Sequence, residues 1–495
     1  MTTIQSLLSL ALTVSFAAAL AAAEPPRPSI GFRGEPCGGY PEARPPLALS
    51  PENLRWTADV GEGCGAVIVV GETLFVQGSP NALICLDKKT SRVLWRKDHH
   101  AEGLPAGHPA RRLDEITEEI PALHRLQRNA HALPQETPER DAAMAVLQTR
   151  LDRLPAGLPP LPGAGVEVAR RTPGGGYNGH GYYLICLTPS SDGQSVVAAF
   201  PTGVVVSYDL HGNRRWTYGW KPGSPKYNRP EDNVHSSAPI FADGKVFAIF
   251  AHDALCLDAA TGKPLWEARI KSSVASPVAG RVGGETYVAL GDGHVFRLSD
   301  GREMFVDPHR GNNESPASPV FADGVFYWVS HAVKVTTGNP PTAALCWEMD
   351  PEDLQEITGF GIAPPRLGQG DMTSPVVIGD RLFHYNQRRQ LVTIDARTGQ
   401  EIGSRRSTPK MKALAKGVTK NWAYGGLILA GNHLLLVHDN GLMKAFPIDE
   451  SAGPAGQCAL DDDVYARPVC DGTSLYLRTV HSLRRYDAQI PGAQP

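Results

Sequence analysis

Short runs that alternate apolar and polar residues follow one another along most of the chain, and each run ends in a turn rich in Gly, Asp or Asn. Runs of this length and period predict half-buried β-strands. Two stretches, 237–266 and 374–402, show the same order of features: an apolar run, a tight turn, two further runs and a fourth. Each stretch therefore predicts four antiparallel strands joined by short turns.

The turns inside these stretches carry residues suited to their conformations. Asp243-Gly244 and Gly379-Asp380 separate the first two runs, and these residue types tolerate positive φ in two-residue hairpins. An Asp-x-x-Thr-Gly sequence separates the last two runs, at 258–262 and 395–399, where the Asp side chain can bond its own backbone. The aromatic residue that follows, such as Trp266, is expected to begin the outermost strand and to wedge between neighbouring units.

The same unit recurs eight times along the chain. One four-stranded unit cannot bury both of its faces, whereas units packed radially can, and this arrangement leaves only short exposed edges. The predicted fold is therefore all-β, an eight-bladed β-propeller of four-stranded blades. The opening strands of the eight units are expected near 66–76, 183–200, 237–250, 276–290, 318–329, 374–385, 426–437 and 467–477.

The two ends of the repeat region are expected to meet. The last unit stops soon after Tyr486 without an outer strand, and an isolated strand with the sequence Leu-Arg-Trp-Thr-Ala precedes the first unit at 54–58. Trp56 stands there in the place that Trp95 and Trp266 take elsewhere. We predict that the N-terminal strand completes the eighth blade and closes the ring, which removes an open edge. The propeller domain would span 54–490.

Residues 99–178 form an insertion between the first and second units that does not follow the repeat. Thr137-Pro138 is a favourable helix start, with Thr as N-cap and Pro at the first helical position. Apolar residues recur at helical spacing after it, up to Leu154, and also upstream, between Ile116 and Ala130. The pattern predicts a helical hairpin, which either caps one rim of the propeller or forms an arm that binds a partner.

The N-terminus has the features of an export signal. The stretch from Leu7 to Ala23 is uncharged, and it ends in alanines before Glu24. We expect residues 1–23 to be a signal peptide, 24–53 an extended segment, and the mature protein to be periplasmic or otherwise exported, without stable membrane insertion. An uncleaved anchor is the alternative. The net charge of −3 argues against a nucleic-acid partner.

The cysteines do not show metal-ligand spacing. The chain has eight cysteines and no C-x-x-C, so zinc, iron–sulfur and attached haem lack their usual ligands. Cys85 and Cys256 occupy equivalent repeat positions and are expected to be buried. Cys458 with Cys470, or Cys37 with Cys64, could form disulfides in an exported chain.

The chain just before each innermost strand should reach the mouth of the central channel, and these segments are rich in polar and aromatic residues. Groups that converge there could bind a small ligand or a saccharide, although they could also cap strand ends and bind water. The candidate ligand-binding residues are Asn178, His180, His235, Asn313, Glu314, Asp371, Trp422 and Tyr424. None of them is assigned a catalytic or metal-binding role.

The Asp-x-x-Thr-Gly-x-x-x-Trp pattern, as at 258–266, preceded by Ser-Pro openings as at Ser374, resembles the pyrroloquinoline-quinone-type propeller repeat. Quinoprotein alcohol dehydrogenases and BamB-like outer-membrane assembly lipoproteins share this repeat. The resemblance covers about 54–486 and is specific for the fold. It implies two functions: a binding scaffold for a protein partner, or a dehydrogenase that oxidises an alcohol or sugar with pyrroloquinoline quinone and Ca²⁺.

The sequence favours the scaffold over the enzyme. Family members that bind the quinone typically place a vicinal Cys-Cys pair against it, and this chain has no such pair. Asn313, Glu314 and Asp371 could offer oxygen ligands to Ca²⁺, but their spacing does not identify such a site. We therefore expect a non-catalytic protein without a cofactor, which binds a protein partner or a small ligand. The chain also lacks a cysteine directly after its apolar N-terminal run, which departs from the lipoprotein members.

Overall fold

A computed structural model gives the structure of the chain. It describes residue 31, residues 38–61, 63–78, 81–99, 137–154, 187–200, 202–220, 237–250, 252–270, 275–307, 317–349, 373–386, 389–406, 426–438, 440–449 and 453–488, and ten single positions between 103 and 133. The described strands form eight sheets. Seven of these sheets have four strands and one has a fifth, short strand. The predicted eight-bladed, all-β propeller is confirmed.

The first four blades follow in chain order. Blade 1 consists of β3 (Ile68–Val70), β4 (Thr73–Gly78), β5 (Ala82–Asp87) and β6 (Val93–Asp98). Blade 2 consists of β7 (Ser190–Ser191), β8 (Ser195–Ala199), β9 (Val204–Asp209) and β10 (Arg214–Gly219). Blade 3 consists of β11 (Ile240–Ala242), β12 (Lys245–Phe250), β13 (Asp253–Asp258) and β14 (Pro264–Arg269). Blade 4 consists of β15 (Val278–Val282), β16 (Glu285–Ala289), β17 (His294–Arg297) and β18 (Glu303–Val306).

The other four blades include two strands from the N-terminal segment. Blade 5 consists of β19 (Val320–Ala322), β20 (Val325–Tyr327), β21 (His331–Thr336) and β22 (Thr342–Glu348). Blade 6 consists of β23 (Val376–Ile378), β24 (Arg381–Tyr385), β25 (Gln390–Asp395) and β26 (Glu401–Arg406). Blade 7 consists of β27 (Gly426–Ala430), β28 (His433–Val437), β29 (Leu442–Pro447) and β30 (Gly456–Ala459), and β1 (Gly39–Tyr40) pairs with its first strand. Blade 8 consists of β31 (Val469–Asp471), β32 (Ser474–Arg478), β33 (Leu483–Asp487) and β2 (Leu54–Ala58).

The ring is closed as the sequence predicted. Strand β2 pairs antiparallel with β33 and forms the outer strand of blade 8, so that Leu54 lies opposite Tyr486 and Ala58 opposite Leu483. The first strands of successive blades contact one another, which places them innermost, around the channel. Closure therefore joins the beginning and the end of the repeat region within one sheet.

The predicted aromatic wedges lie between the blades. Trp216 of blade 2 is buried, and its indole Nε1 donates a hydrogen bond to the carbonyl oxygen of Ala259 in blade 3, at 2.8 Å. The corresponding bonds of Trp95, Trp266 and Trp347 also cross to the next blade. A β-bulge precedes each of these residues in its outer strand. The bulge turns the indole towards the neighbouring blade and also interrupts the regular edge of the outer strand.

The Asp-x-x-Thr-Gly turns adopt the predicted conformation. Asp258 Oδ1 accepts hydrogen bonds from the backbone N–H of Thr261, at 2.8 Å, and from its hydroxyl, at 2.6 Å. These bonds lower the pKa of Asp258, although burial opposes them. The turn therefore contributes a rigid corner to each blade that carries it.

The insertion between blades 1 and 2 contains the predicted second helix, α1 (Pro138–Leu151). Thr137 is its N-cap and its hydroxyl accepts from the N–H of Arg140, as the sequence indicated. Leu147 and Leu151 are buried in the core shared by blades 1 and 2. Upstream, Ala122, Leu123, Leu126 and Ala130 are helical, and Leu123 joins the same core. The described part of the insertion therefore packs on the propeller. The domain boundaries assigned from the sequence stay predictions.

Two cysteines suggested as a disulfide pair are separate. Cys458 lies on the outer strand β30 of blade 7, whereas Cys470 lies on the innermost strand β31 of blade 8, and both are free thiols. The bridge that the sequence left open between them is therefore not formed, because the linker joins the outer strand of one blade to the inner strand of the next. Cys85 and Cys256 are buried as predicted. Cys37 lies outside the described residues.

Candidate functional site

The two ends of the ring differ in the connections that reach them. The linker end carries the linkers between blades and the turns between second and third strands. The hairpin end carries the turns between first and second strands and between third and fourth strands. The sequence places its candidate ligand residues in the linkers. Asn178, His180, His235, Asn313, Glu314, Asp371, Trp422 and Tyr424 all lie outside the described residues. Their role and their convergence on the channel mouth stay predictions.

Arg467 is the main polar side chain that the described residues place near this mouth. It precedes β31, is buried, and donates from Nη2 to the hydroxyl of Ser374, in front of β23 of blade 6, at 2.7 Å. Between them stands Gly426 of blade 7, where a β-carbon would fall 2.3 Å from Nε of Arg467. The guanidinium of Arg467 therefore extends from blade 8 across blade 7 to blade 6. Only glycine at position 426 leaves room for it.

A hydroxyl at the start of the inner strands joins successive blades at the same level. Ser374 also accepts from the N–H of Ser318 in blade 5, at 2.8 Å. Thr188 accepts in the same way from Ala66, at 2.9 Å, and Ser276 accepts from Ala238, at 3.3 Å. These contacts give the Ser-Pro openings of the repeat a structural role, because a buried backbone N–H needs an acceptor.

Histidines gather around the turns between second and third strands in six of the eight blades. The sequence does not single them out, because they stand at strand ends rather than in the linkers. Three contact aromatic rings: His294 stacks on Phe296, His331 stacks on Trp328 with ring centroids 4.4 Å apart, and His438 lies edge-on to Tyr385. The six histidines are His252, His294, His331, His384, His438 and His481. A comparison of equivalent positions in the aligned repeats would reveal them.

Three of these imidazoles face carboxylates. Nδ1 of His294 lies 3.0 Å from Oδ1 of the buried Asp292, and Nδ1 of His481 lies 2.7 Å from Oδ1 of Asp462. His331 lies 3.8 Å from Asp307. In the part of the chain that the structure describes, no three such side chains are placed to bind a metal ion together. The pairs brace the turns of blades 4, 5 and 8.

The linker between blades 7 and 8 carries three consecutive acids with different environments. Burial works to raise the pKa of Asp462, but hydrogen bonds from His481 and Thr479 outweigh it and keep this pKa below its ordinary value. Burial and the adjacent charge of Asp462 raise the pKa of Asp463. Asp461 bonds Arg484 at 2.5 Å, and its pKa is lowered mainly by that bond. The three neighbouring acids of this linker therefore differ in environment: Asp461 and Asp462 are paired with Arg484 and His481, whereas burial and the charge of Asp462 disfavour ionisation of Asp463.

A second buried arginine lies at the same end. Arg478, at the end of β32, donates from Nη2 to the carbonyl oxygen of Gly61 at 2.6 Å, and so ties blade 8 to the linker that leads into blade 1. Both Arg467 and Arg478 thus have protein oxygens as partners. The described part of the linker end therefore joins neighbouring blades by hydrogen bonds around the channel mouth, and it places oriented donors and acceptors there.

The fold defines a propeller of the pyrroloquinoline-quinone type. The family model described as outer membrane protein assembly factor BamB matches residues 47–117 and 191–451, more than half of the chain. The chain belongs to this family. In the described residues, no helix is both long and apolar enough to cross a bilayer.

Similar solved structures share little sequence with the chain. BamB from Moraxella catarrhalis is 11% identical, with a TM-score of 0.42, and the match covers 62% of this chain and 82% of that one. The computationally designed Ika8 protein is 10% identical, with a TM-score of 0.36, over 60% of this chain and 93% of that one. Neither likeness bears on function. No curated protein matches the chain in sequence.

Proposed function

We propose that the chain is an exported, non-catalytic scaffold that binds a protein partner by adding a strand of that partner to an outer edge of the propeller. Membership of the family of outer membrane protein assembly factors supports a role in assembly. The observation that carries the proposal is the outer strand of blade 5, β22, which is the longest of the described strands.

Strand β22 presents an uncharged edge. It is the last strand of its sheet, and no described residue pairs with its outer side. Its first six residues, 342–347, carry no charge, and Leu345 is 43% exposed. Four of them, Thr342 to Leu345, pair regularly with β21 before the bulge. An unpaired, uncharged edge of this kind is a template for another strand.

Every other outer strand except β30 carries at least one charged residue. β30 is uncharged, but the carbonyl oxygen of Leu47 lies against its first residue, Gly456. β6 carries Arg96, Lys97 and Asp98, and β14 carries Glu267 and Arg269. In each of these two strands, only one residue pairs with the third strand before the bulge interrupts the register. Charges and bulges discourage strand addition, so β22 stands out as the docking edge. The partner segment that fits is extended and uncharged, with an apolar side chain beside Leu345.

A photo-crosslinking experiment tests this proposal in the organism that makes the protein. p-Benzoylphenylalanine at position 345 should give a discrete adduct with one protein. In affinity purification of the tagged chain without the crosslinker, the Leu345→Lys variant should recover at least about tenfold less of that protein, because a charge on an exposed edge discourages strand addition. Position 265 is the matched control: Leu265 also lies on an outer strand and is 48% exposed. Equal capture with Leu265→Lys and Leu345→Lys would show that β22 is not the site.

A dehydrogenase with pyrroloquinoline quinone and Ca²⁺ is the alternative function, and its candidate ligands Asn313, Glu314 and Asp371 lie outside the described residues. A titration of the purified chain with the quinone and Ca²⁺, read by absorbance and by dye reduction with alcohols and sugars, separates the two. We expect no uptake. Stoichiometric uptake with substrate-dependent reduction would replace the scaffold by the enzyme.

Binding of a small ligand or saccharide at the channel mouth is compatible with the scaffold function. It rests on the linker residues named from the sequence, above all Trp422 and Tyr424. Quenching of tryptophan fluorescence by added oligosaccharides, compared between the wild type and Trp422→Ala, tests it directly. Saturable quenching that the substitution abolishes would support it.

A further inference from the structure

The N-terminal segment contacts the inside of the ring at blade 7. Strand β27 is the innermost strand of this blade, and β1 pairs with it in parallel on the side opposite β28. The N–H of Leu429 donates to the carbonyl oxygen of Gly38 at 2.8 Å, and the N–H of Gly431 donates to that of Tyr40 at 2.9 Å. Gly431 lies in the turn between the first and second strands of the blade. The pairing is therefore at the hairpin end of the channel.

The same segment contacts the inner wall a second time, at blade 2. A β-carbon on Gly31 would lie 3.2 Å from the hydroxyl oxygen of Ser190 and 3.5 Å from its β-carbon. Ser190 belongs to β7, the innermost strand of blade 2, which ends at the next residue. Its hydroxyl also accepts from the N–H of Phe241 in blade 3, at 3.0 Å. Gly31 therefore packs at the hairpin end as well, beside the junction of blades 2 and 3.

The two innermost strands that this segment contacts are also the most completely buried ones. Every residue of β7 and of β27 is buried. Each of the other six innermost strands has at least one residue that is half-buried or exposed. Blades 2 and 7 are not neighbours, because blades 1 and 8 lie between them. Contact with the N-terminal segment is therefore a feature that these two separate strands share.

Tyr40 anchors the segment where it leaves the channel. It is half-buried and packs against two hydrophobic clusters, one shared by blades 7 and 8 and the other by blades 8 and 1. Beyond it, the N–H of Arg44 donates to the carbonyl oxygen of Gly472, in the first turn of blade 8, at 2.8 Å. Burial of apolar surface therefore holds this end of the segment in addition to the backbone hydrogen bonds.

We propose that the chain runs inside the ring from Gly31 to Gly38 and closes the hairpin end of the channel as a fixed plug. Seven residue steps join the two contacts, and they span at most about 25 Å. A route around the outside would cross a four-stranded blade outward and back, which alone takes about 29 Å at the usual spacing of strands. The length of the chain therefore favours the inner route.

A plug at the hairpin end leaves the linker end as the entrance to the channel. A small ligand or saccharide bound by the linker residues would then occupy a cup with one opening, as concave ligand sites commonly are, and not a pore through the ring. The plug does not rest on docking at β22, which lies on the outer rim of blade 5.

A disulfide between the plug and blade 2 tests the contact at Gly31. Disulfides join β-carbons that are about 3.5–4.5 Å apart, and a β-carbon on Gly31 meets this requirement with Ser190. The full chain with Gly31→Cys and Ser190→Cys should form the bond on mild oxidation, as read by mass spectrometry of the linked peptides.

The matched control for the disulfide is Gly31→Cys with Val377→Cys. Val377, like Ser190, is the last residue but one of an innermost strand, here β23 of blade 6. This chain should form at least about tenfold less of its own link, because the two positions lie apart. Equal linkage in the two chains, or linkage in neither, would overturn the proposal.

Labelling of the Gly31→Cys chain tests whether the hairpin end is closed. A maleimide linked to a large polymer should react with the thiol at position 31 at least about tenfold more slowly than after unfolding in urea, because the plug must first open. Adding Tyr40→Ser removes the anchor and should raise the rate in the folded chain by about tenfold or more.

Leu47→Ser is the matched control for the anchor. Leu47 packs on the same cluster of blades 7 and 8 as Tyr40, but its carbonyl oxygen lies against Gly456 of the outer strand β30. It should leave the labelling rate at position 31 unchanged. Rapid labelling by the polymer without Tyr40→Ser would overturn the proposal, and so would equal rates with the two serine substitutions.

Discussion

The indole of Trp216 in blade 2 lies directly against the α-carbon of Gly262 in blade 3: a β-carbon at this glycine would fall 2.6 Å from two atoms of the ring. The Thr-Gly turn therefore needs glycine twice, for its positive φ of 71° and for the close approach of the indole. The same relationship joins Trp266 to Gly301 and Trp347 to Gly399. Two features of the repeat, the turn and the aromatic residue, are thus halves of one contact between successive blades.

We expect Gly262→Ala to lower the free energy of unfolding by about 2–4 kcal/mol, from strain at positive φ together with overpacking against the indole. Gly244→Ala is the control, since Gly244 has a similar φ of 68° and no neighbouring atom within 4 Å of the position that a β-carbon would take. It should show the strain alone, about 1 kcal/mol. Urea unfolding measures both, and equal losses would contradict a direct contact with Trp216.

Arg467→Met should lower the free energy of unfolding by about 2–3 kcal/mol, because a buried charge-assisted hydrogen bond to Ser374 is lost. Arg281→Met is the control: its pair with Asp243 is exposed, and such pairs contribute less than about 1 kcal/mol. Chemical denaturation followed by circular dichroism compares the two. If Arg467→Met lowered the free energy of unfolding no more than Arg281→Met, the hydrogen bond from Arg467 to Ser374 would contribute little to stability.

The two neighbouring acids of the linker between blades 7 and 8 should respond to pH in opposite ways. The pKa of Asp462 is lowered in the folded state, so its ionised form stabilises the fold above the ordinary Asp value of 3.8, and this is lost as pH falls. Asp462→Asn should therefore lower Tm at pH 7 and approach the wild type in acid.

The pKa of Asp463 is raised, so its ionisation destabilises the fold as pH rises through the folded value. Asp463→Asn should raise Tm at pH 7, and the gain should disappear below pH 3.8. Thermal unfolding of both variants between acid and neutral pH checks the pair of signs. Shifts of the same sign at pH 7 would rule out this assignment.

The insertion should detach from the propeller when its buried face is charged. Leu151→Asp places a carboxylate in the core shared by blades 1 and 2 and should cost about 3 kcal/mol or more, or release α1 to protease. Val146→Asp, on the same helix but 55% exposed, should have little effect. Limited proteolysis distinguishes them, and similar cleavage of both variants would show that the helix is not held by Leu151.

Much of the fold could be predicted because each copy of the repeat has the same turn residues, apolar runs and aromatic residue at equivalent positions. The hairpin turns, the wedge of Trp216 and the closing strand at Trp56 all recur in equivalent positions, so each copy supports the others. The N-cap at Thr137 follows a local rule of helix initiation. These predictions rest on neighbours in sequence or on register within one unit.

The contacts that escape prediction join residues with no common pattern. Strand β1 has two residues in a glycine-containing stretch without periodicity, and no pattern in the sequence indicates its parallel pairing with β27 of blade 7. The sequence identifies Arg467 only as the start of a strand, since its partner Ser374 lies two blades away. The mouth residues named from the sequence stay predictions for a related reason: linkers follow no repeat, so their placement depends on the ring they cross.

The pairing of β2 with β33 also governs when the ring can form. Arg55 and Asp487, which bond across this pair, are 432 positions apart in the chain. Contacts of such separation cost the most loop entropy and form late. During synthesis, which begins at the N-terminus, Leu54–Ala58 stays unpaired until β33 has been made, and seven blades can assemble before that strand is available. We therefore expect the pairing of the first strand of the propeller with its last strand to complete folding, and until then the unpaired edge of β33 is open to chaperones and to mispairing with another copy.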